Sequence, residues 1–368
     1  MSTMKAVRFH AAKDIRVDQV EIPVVKPGWV RLKPAFSGIW GSDLHEYLDG
    51  PHIIPPQGKP HGMTGESPPV ILGHEFSGVI DQIGDEVVGL KVGDKIAVQP
   101  TTYDGSCRAC RRGLTNCCDA FGFIGLSGWG GGMSEFTTAP AEYCKKLPDD
   151  MPLEIGALVE PLAVGWHAVA TSPYNPGDSV LVLGGGPIGL SVVLALRAQG
   201  CKNVTIVSEV SQRRRGFAKT FGAHHAIDPT IDDLPQKVKD LTVGEGVDVC
   251  FDAAGLQIGV DSGMKAVTAR GTFVNIALWG DRRPSLDMID MLFGERKYMA
   301  GVTYIAGDFE AVIDAMHTGK LKPEGMITKV IGPHEVAEEG FKALTDDKDN
   351  QVKILVDMSR VAEVKANE

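Results

Sequence analysis

The chain has no apolar segment at its start. Its opening residues, MSTMKAVRF, hold nothing resembling a secretory leader, so the expectation is a mature chain that begins near Met1 and stays in the cytoplasm. It also lacks an unbroken apolar stretch of the roughly 20 residues that a membrane span requires. The nearest candidate, Val180 to Leu196, is uncharged but carries four glycines and Pro187, and reads instead as a buried strand, turn and helix. Positive charge is scarce: 37 Lys and Arg stand against 47 Asp and Glu, a formal net charge of −10. Neither nucleic acid nor an anionic membrane is therefore expected as a partner. The seven cysteines are odd in number, which points away from a disulfide framework and towards a reducing compartment with thiols on metal or left free. No internal repeat or low-complexity tract is present.

What remains is a chain of 368 residues, long enough for two domains of about 100–200 residues each. Its first 150 or so residues are rich in Gly, Pro and β-branched residues. Short runs such as GWVRLKP, EFSGVIDQIG and DKIAVQP are separated by turn signals there, the pattern of a small β-barrel. From about Glu154 helical patterns alternate with the apolar runs SVLVLGG, NVTIVSE, VDVCFDAAG and GTFVNIAL, which predicts an α/β fold with a doubly wound parallel sheet. After Leu321 the chain turns Pro- and Gly-rich again, passes through the helical EVAEEGFKALTD and ends in a strand, QVKILVD. This tail is expected to rejoin the first domain.

Gly184-Gly185-Gly186-Pro187-Ile188-Gly189 fits G-x-G-x-x-G. The motif follows the strand SVLVL and opens the helix LSVVLALRAQG, so Gly184, Gly186, Pro187, Ile188 and Gly189 would turn backbone N–H groups and a helix N-terminus towards a pyrophosphate. Twenty residues past Gly189 stands Glu209, placed to accept hydrogen bonds from a ribose diol and to repel a 2′-phosphate. NAD is the cofactor this favours. Arg213, Arg214 and Arg215 keep NADP open, and Arg214 is counted among the cofactor contacts.

A second cluster lies in TTYDGSCRACRRGLTNCC, where Cys107, Cys110 and Cys118 suit a tetrahedral structural zinc that needs one more ligand. Asp104 continues the spacing and is the expected fourth, with Cys117 as the alternative. Three further segments carry ligand types: LGHEFSG with His74 and Glu75, LVEPLAV with Glu160, and SGIWGSDLHEY. The last is anomalous, because the indole of Trp40 has one N–H donor and no lone pair to offer a metal.

GSDLHEYLDGP, TGESPPVILGHEFSG, DGSCRACRRGLTNC, GFIGLSGWGGGMSEF, LVEPLAVGWHA and VLGGGPIGL together resemble the zinc-dependent medium-chain dehydrogenase/reductase family over nearly the whole length. The likeness is greatest to the branch of the (R,R)-2,3-butanediol, sorbitol and threonine dehydrogenases. It implies a GroES-like β-barrel catalytic domain from residues 1–153 and 319–368, with a Rossmann NAD-binding domain, residues 154–318, inserted between them. The resemblance also implies that a cysteine ordinarily stands where Trp40 does, binding a catalytic zinc with His74 and Glu160 while Glu75 is an exchangeable ligand. Ser42 and His45 match the family's proton relay. The implied activity is NAD-dependent interconversion of a small secondary alcohol or vicinal diol, 2,3-butanediol- or acetoin-like, and its ketone.

Trp40 opens three readings of that site. Zinc is retained by His74, Glu160 and Glu75; or the metal is absent and Ser42, His45 and the cofactor act alone; or Trp40 is a substitution that blocks turnover. The alternatives at the level of function are an impaired NAD-binding protein and a metal-free medium-chain reductase. GTFVNIALWG and YMAGVTYIAG are expected as sheet edges that pair copies of the chain into a dimer or tetramer. His52, His61 and Trp129 are placed near the entrance without an assigned role.

Overall fold

Strand formation in the first part of the chain follows β-branched and aromatic residues that alternate between a buried and a wetter face. In the computed structural model, which describes residues 2–280, 282–347 and 349–363, the chain divides into two compact units. The first comprises the residues up to Glu160, Ile305–Ile313 and those from Glu324 onward; the second comprises Pro161–Tyr304 and Asp314–Pro323.

The first unit is built on a seven-stranded sheet. Cys144–Lys146, Lys95–Val98, Phe76–Ile83, Trp29–Ile39, Lys353–Asp357 and Ile327–Ile331 follow one another in space, and Thr137–Pro140 also pairs with Trp29–Ile39. A three-stranded sheet of Asp14–Glu21, Thr3–Ala11 and Val70–Ile71 completes it. The tail does rejoin the start of the chain: Lys353–Asp357 runs antiparallel to Trp29–Ile39, with Ile354 opposite Ile39 and Leu355 opposite Gly38. Ile39, Ile54, Phe341, Ile354 and Val356 share one buried core, while Val30, Leu32, Phe76, Ile80 and Ile96 form another.

The second unit is a six-stranded parallel sheet in the order His225–Ile227, Thr205–Ser208, Val180–Leu183, Val247–Asp252, Val267–Asn275, Lys297–Ala300. In sequence order that is 3-2-1-4-5-6, the doubly wound dinucleotide-binding arrangement, with its switch point beside Val180–Leu183. All four residues of Val180–Leu183 are buried, as a central parallel strand covered on both faces must be. The stretch from Val180 is thus strand, turn and helix as expected, the helix being Pro187–Ala198.

One expectation fails. GTFVNIALWG is no sheet edge: Val267–Asn275 has a neighbour on each side and its Phe273 and Val274 are wholly buried. The edges of the sheet are His225–Ile227 and Lys297–Ala300, and the latter includes the first three residues of YMAGVTYIAG. One helical stretch among the described residues, Leu153–Thr171, is long and apolar enough to cross a membrane, but 67% of it is buried inside the molecule, as in a core helix.

Candidate functional site

Trp40 sits where the strand Trp29–Ile39 gives way to the helix Gly41–Asp49. Its extended backbone makes it the N-cap, and its N–H donates to Asp43 Oδ2 at 2.9 Å. An aspartate three residues into a helix is well placed for this, satisfying an N–H that the helix leaves orphaned and lying near the positive end of its dipole. The other oxygen of the buried Asp43 lies 3.4 Å from His74 Nδ1. A carboxylate at that distance favours the protonated imidazole through its charge. Ser42 Oγ lies 3.2 Å from His74 Nε2. Burial disfavours the protonated imidazole, but Asp43, Glu160 and Glu75 outweigh it and lift the His74 pKa to about 9.

Glu75, the next residue, is wholly buried. Gly38 makes room for it, since a Cβ there would stand 2.0 Å from Glu75 Oε2. Both carboxylate oxygens accept from the equally buried Lys353 Nζ, at 3.0 and 2.7 Å. Burial pushes the Glu75 carboxyl up, against the opposing pull of the Lys353 ammonium. Above that ammonium lies the indole of Trp40, with Nζ 3.9 Å from the ring centroid.

Glu160 enters from the first turn of the helix Val159–Thr171 and is buried as well. One ligand atom from each of His74, Glu75 and Glu160 falls within 4.8 Å of the others. An imidazole nitrogen and two carboxylate oxygens suit a divalent metal ion, though without the soft sulfur donor that favours zinc over its competitors. His45 is exposed on the helix Gly41–Asp49, and no hydrogen bond among the described residues joins it to Ser42, which faces His74 instead.

Asp43 and Lys353 were not foreseen as parts of this site. Nor was Glu46, a buried carboxylate on the same helix that accepts from the N–H groups of His52, Ile53 and Ile54 and so holds the loop beyond the helix. His52 also pairs with Asp49, and His61 with the carbonyl of Phe121. Trp129 meets Trp29 edge-on at 5.0 Å.

In the cysteine lobe the structure gathers Asp104, Cys107, Cys110 and Cys118, again with ligand atoms within 4.8 Å of one another, and leaves the exposed Cys117 outside. Asp104 Oδ1 accepts from the N–H groups of Ser106 and Cys107, at 2.7 and 2.8 Å. Backbone N–H groups also reach the sulfurs: Asp104 and Ala120 donate to Cys118 Sγ, and Cys110 to Cys107 Sγ. Donors of this kind favour the thiolate, and that from Cys110 lowers the Cys107 pKa. Burial and the neighbouring thiols push Cys110 up to about 12, a strain that a divalent cation relieves by taking the thiol proton's place. Three sulfurs and one oxygen fit a closed tetrahedral zinc site.

In the second unit the glycine loop caps the helix Pro187–Ala198, with Gly186 as N-cap and Pro187 in its first turn. Gly184 has φ +93°, and a Cβ there would meet Ala254 at 3.3 Å; one on Gly189 would lie 1.8 Å from the carbonyl oxygen of Gly184. Both positions therefore require glycine. Glu209, at the end of Thr205–Ser208, accepts from Gly185 N at 2.7 Å and from Ser211 N at 2.9 Å. The three arginines that follow diverge. Arg215 is tied to Asp228 and to the carbonyls of Glu209 and Val210, Arg213 lies over Phe217, and Arg214 brings Nη1 to 3.9 Å from where a Gly186 Cβ would be.

Comparison with known proteins matches these parts. Residues 26–149 fit the alcohol dehydrogenase GroES-like domain and residues 187–318 the zinc-binding dehydrogenase domain. The chain is 40% identical to a Bacillus subtilis (R,R)-butanediol dehydrogenase, covering 96% of this chain and 99% of that one. It is 34% identical to a Saccharomyces cerevisiae protein described as a probable (R)-acetoin-forming diacetyl reductase, over 96% and 90% of the two chains. The crystal structure of 2R,3R-butanediol dehydrogenase from Bacillus subtilis superposes with a TM-score of 0.90 at 39% identity, over 96% of this chain and 99% of that one.

Proposed function

This chain belongs to the zinc-binding dehydrogenases of the medium-chain alcohol dehydrogenase family, and from that membership we propose that it interconverts a small vicinal diol or secondary alcohol, of the 2,3-butanediol and acetoin kind, with its ketone. NAD and zinc are the cofactors. The observation that carries this reading is the gathering of His74, Glu75 and Glu160 at metal-binding distance in a chain that also builds a glycine loop closed by Glu209. A bound divalent metal supplies polarisation of the substrate oxygen, and bound nicotinamide supplies or accepts the hydride.

The residues divide the remaining work. His74, Glu160 and Glu75 would hold the catalytic metal, with Asp43 orienting the imidazole. Ser42, a hydroxyl beside that imidazole, would exchange the alcohol proton; the onward step to the exposed His45 is proposed from the family resemblance alone, since Ser42 faces His74. Glu209 would accept from the ribose hydroxyls and exclude a 2′-phosphate, while Gly184, Gly186, Pro187, Ile188 and Gly189 would cradle the pyrophosphate with Arg214 beside them. Asp104, Cys107, Cys110 and Cys118 would hold a structural zinc. Their need for reduced thiols supports a reducing compartment, the cytoplasm.

We also propose a homo-oligomer, dimer or tetramer. The edge strand Lys297–Ala300 follows the helix Met288–Gly294, whose Met288, Ile289, Leu292 and Phe293 are each more than 60% exposed. A monomer in sedimentation would end that proposal.

Trp40 favours a second reading, an NAD-binding protein with impaired turnover, because a ligand position is filled by a ring that cannot ligate. Metal content per chain and NADH-linked acetoin reduction, on this protein and on Trp40→Cys, separate the two. About two zincs with turnover supports a working dehydrogenase on a sulfur-free site. One zinc and no turnover, with both restored in Trp40→Cys, supports the impaired protein. A metal-free reductase would turn over activated double bonds with the catalytic site empty, which leaves the His74–Glu75–Glu160 cluster without a purpose.

A further inference from the structure

The proposed site needs the Glu75 carboxylate, yet both its oxygens are engaged by Lys353. We propose that Lys353 and Trp40 form a latch on the metal centre: the ammonium withholds Glu75 until a metal takes the carboxylate, and the indole face then remains as the ammonium's seat. Lys353 is a positioning residue in this scheme, acting through Glu75. The inference rests on the reading that His74, Glu75 and Glu160 hold a metal.

Three observations carry it. The ammonium is already seated on both partners, 2.7 Å from Glu75 Oε2 and 3.9 Å from the Trp40 ring centroid. The side chains of Lys353 and Glu75 are both wholly buried, so an ammonium that gives up its carboxylate has no water to turn to. A buried cation without a partner is costly, and an indole face is the best aromatic substitute among side chains. Finally, Glu75 already lies within 4.8 Å of the donors of His74 and Glu160, so that exchanging Lys353 for metal asks little movement of it. A thiol at position 40 would add a ligand but offer no such face. Trp40 is then a second seat for a cation as well as a lost ligand.

The test is the zinc affinity of the catalytic centre, measured by competition with a chromophoric chelator on protein whose cysteine lobe stays loaded. The latch predicts that Lys353→Met tightens zinc binding by about ten-fold or more, since no ammonium competes for Glu75, and that Lys353→Arg returns it towards the parent value. Trp40→Leu, which keeps the ammonium but removes its aromatic seat, weakens binding by about ten-fold, whereas Trp40→Phe retains most of it. Tryptophan emission should also change as zinc enters the parent, and the change should vanish in Trp40→Phe.

Equal affinities in the parent and Lys353→Met overturn the latch, as do equal affinities in the parent and Trp40→Leu. If Lys353→Met does not fold, the Leu and Phe variants of Trp40 decide alone. A parent that takes no second zinc beside a Lys353→Met that does supports the latch while removing metal-dependent turnover from the proposed function. No second zinc in any variant overturns the latch, and the acetoin assay then judges the dehydrogenase reading by itself.

Discussion

Breaking the Glu75–Lys353 pair should be far more damaging than deleting it. Both side chains are wholly buried and joined at 2.7 Å, and truncating one member of such a pair leaves the other as an uncompensated charge, at a cost of about 3–5 kcal/mol. The two single variants should not cost the same. Glu75→Gln leaves the ammonium on the Trp40 ring with an amide oxygen beside it, so its cost belongs near the lower figure. Lys353→Met strips the Glu75 carboxylate of its ammonium in a place where burial, and to a smaller degree the charge of Asp43, already disfavour its ionisation, and belongs near the upper one. Replacing both charges at once, as Glu75→Gln/Lys353→Met, should cost no more than about 1 kcal/mol, because an uncharged pair of similar volume escapes the desolvation penalty. The assay is denaturant unfolding of chelator-treated protein, followed by tryptophan emission. Trp29, Trp40 and Trp129 report on the first unit, Trp166 and Trp279 on the second, and the two can unfold separately. If the double variant costs the sum of the single ones, the pair is not a coupled buried ion pair and the argument fails.

Other perturbations reach the remaining parts of the site. Asp43→Asn removes the charge that orients His74 and should weaken the catalytic metal by roughly 10–100-fold, read as zinc affinity; an unchanged affinity would show that His74 needs no such partner. Cys107→Ser should cost the protein one zinc per chain by elemental analysis and lower its melting temperature, with Cys117→Ser as the control that costs neither. Glu209→Ala should raise KM for NADH by about ten-fold, the value of one charge-assisted hydrogen bond, and narrow the preference over NADPH. A KM that stays put would dissociate Glu209 from the ribose.

What could be read in advance is what the chain keeps close together. The glycine loop, the strand before it and the acid twenty residues on lie within one βαβ unit, where spacing alone forces the geometry. The cysteine lobe is similar: Asp104 to Cys118 is one short segment, Asp104 continues the three-residue interval of Cys107 and Cys110, and Cys118 joins them from further along the same segment. The wrongly assigned sheet edge shows the opposite case. GTFVNIALWG is apolar because it is interior, flanked by strands on both sides, and apolarity alone does not distinguish an interior strand from an edge awaiting a partner.

Lys353 was the hardest residue to foresee, for it meets Glu75 across 278 positions of sequence, brought there only when the tail strand pairs with Trp29–Ile39. One signal was nonetheless present. In QVKILVD a lysine heads a run of apolar residues, and all of Lys353–Val356 proves buried. A lysine is almost never fully buried unless paired, so a strand of that composition announces an acid waiting inside the fold. Acids stand in LGHEFSG and LVEPLAV, and the structure pairs Lys353 with the first of them, Glu75. The indole of Trp40 sits against the same ammonium. If His74, Glu75 and Glu160 hold a metal, as proposed, residue 40 would act on that centre through Lys353 as well as by offering or lacking a sulfur, and a cysteine there would also unseat the cation. Trp40→Cys is for that reason expected to bind zinc more tightly yet hold the Glu75–Lys353 pair less flexibly, a combination that loss of a ligand alone would not produce.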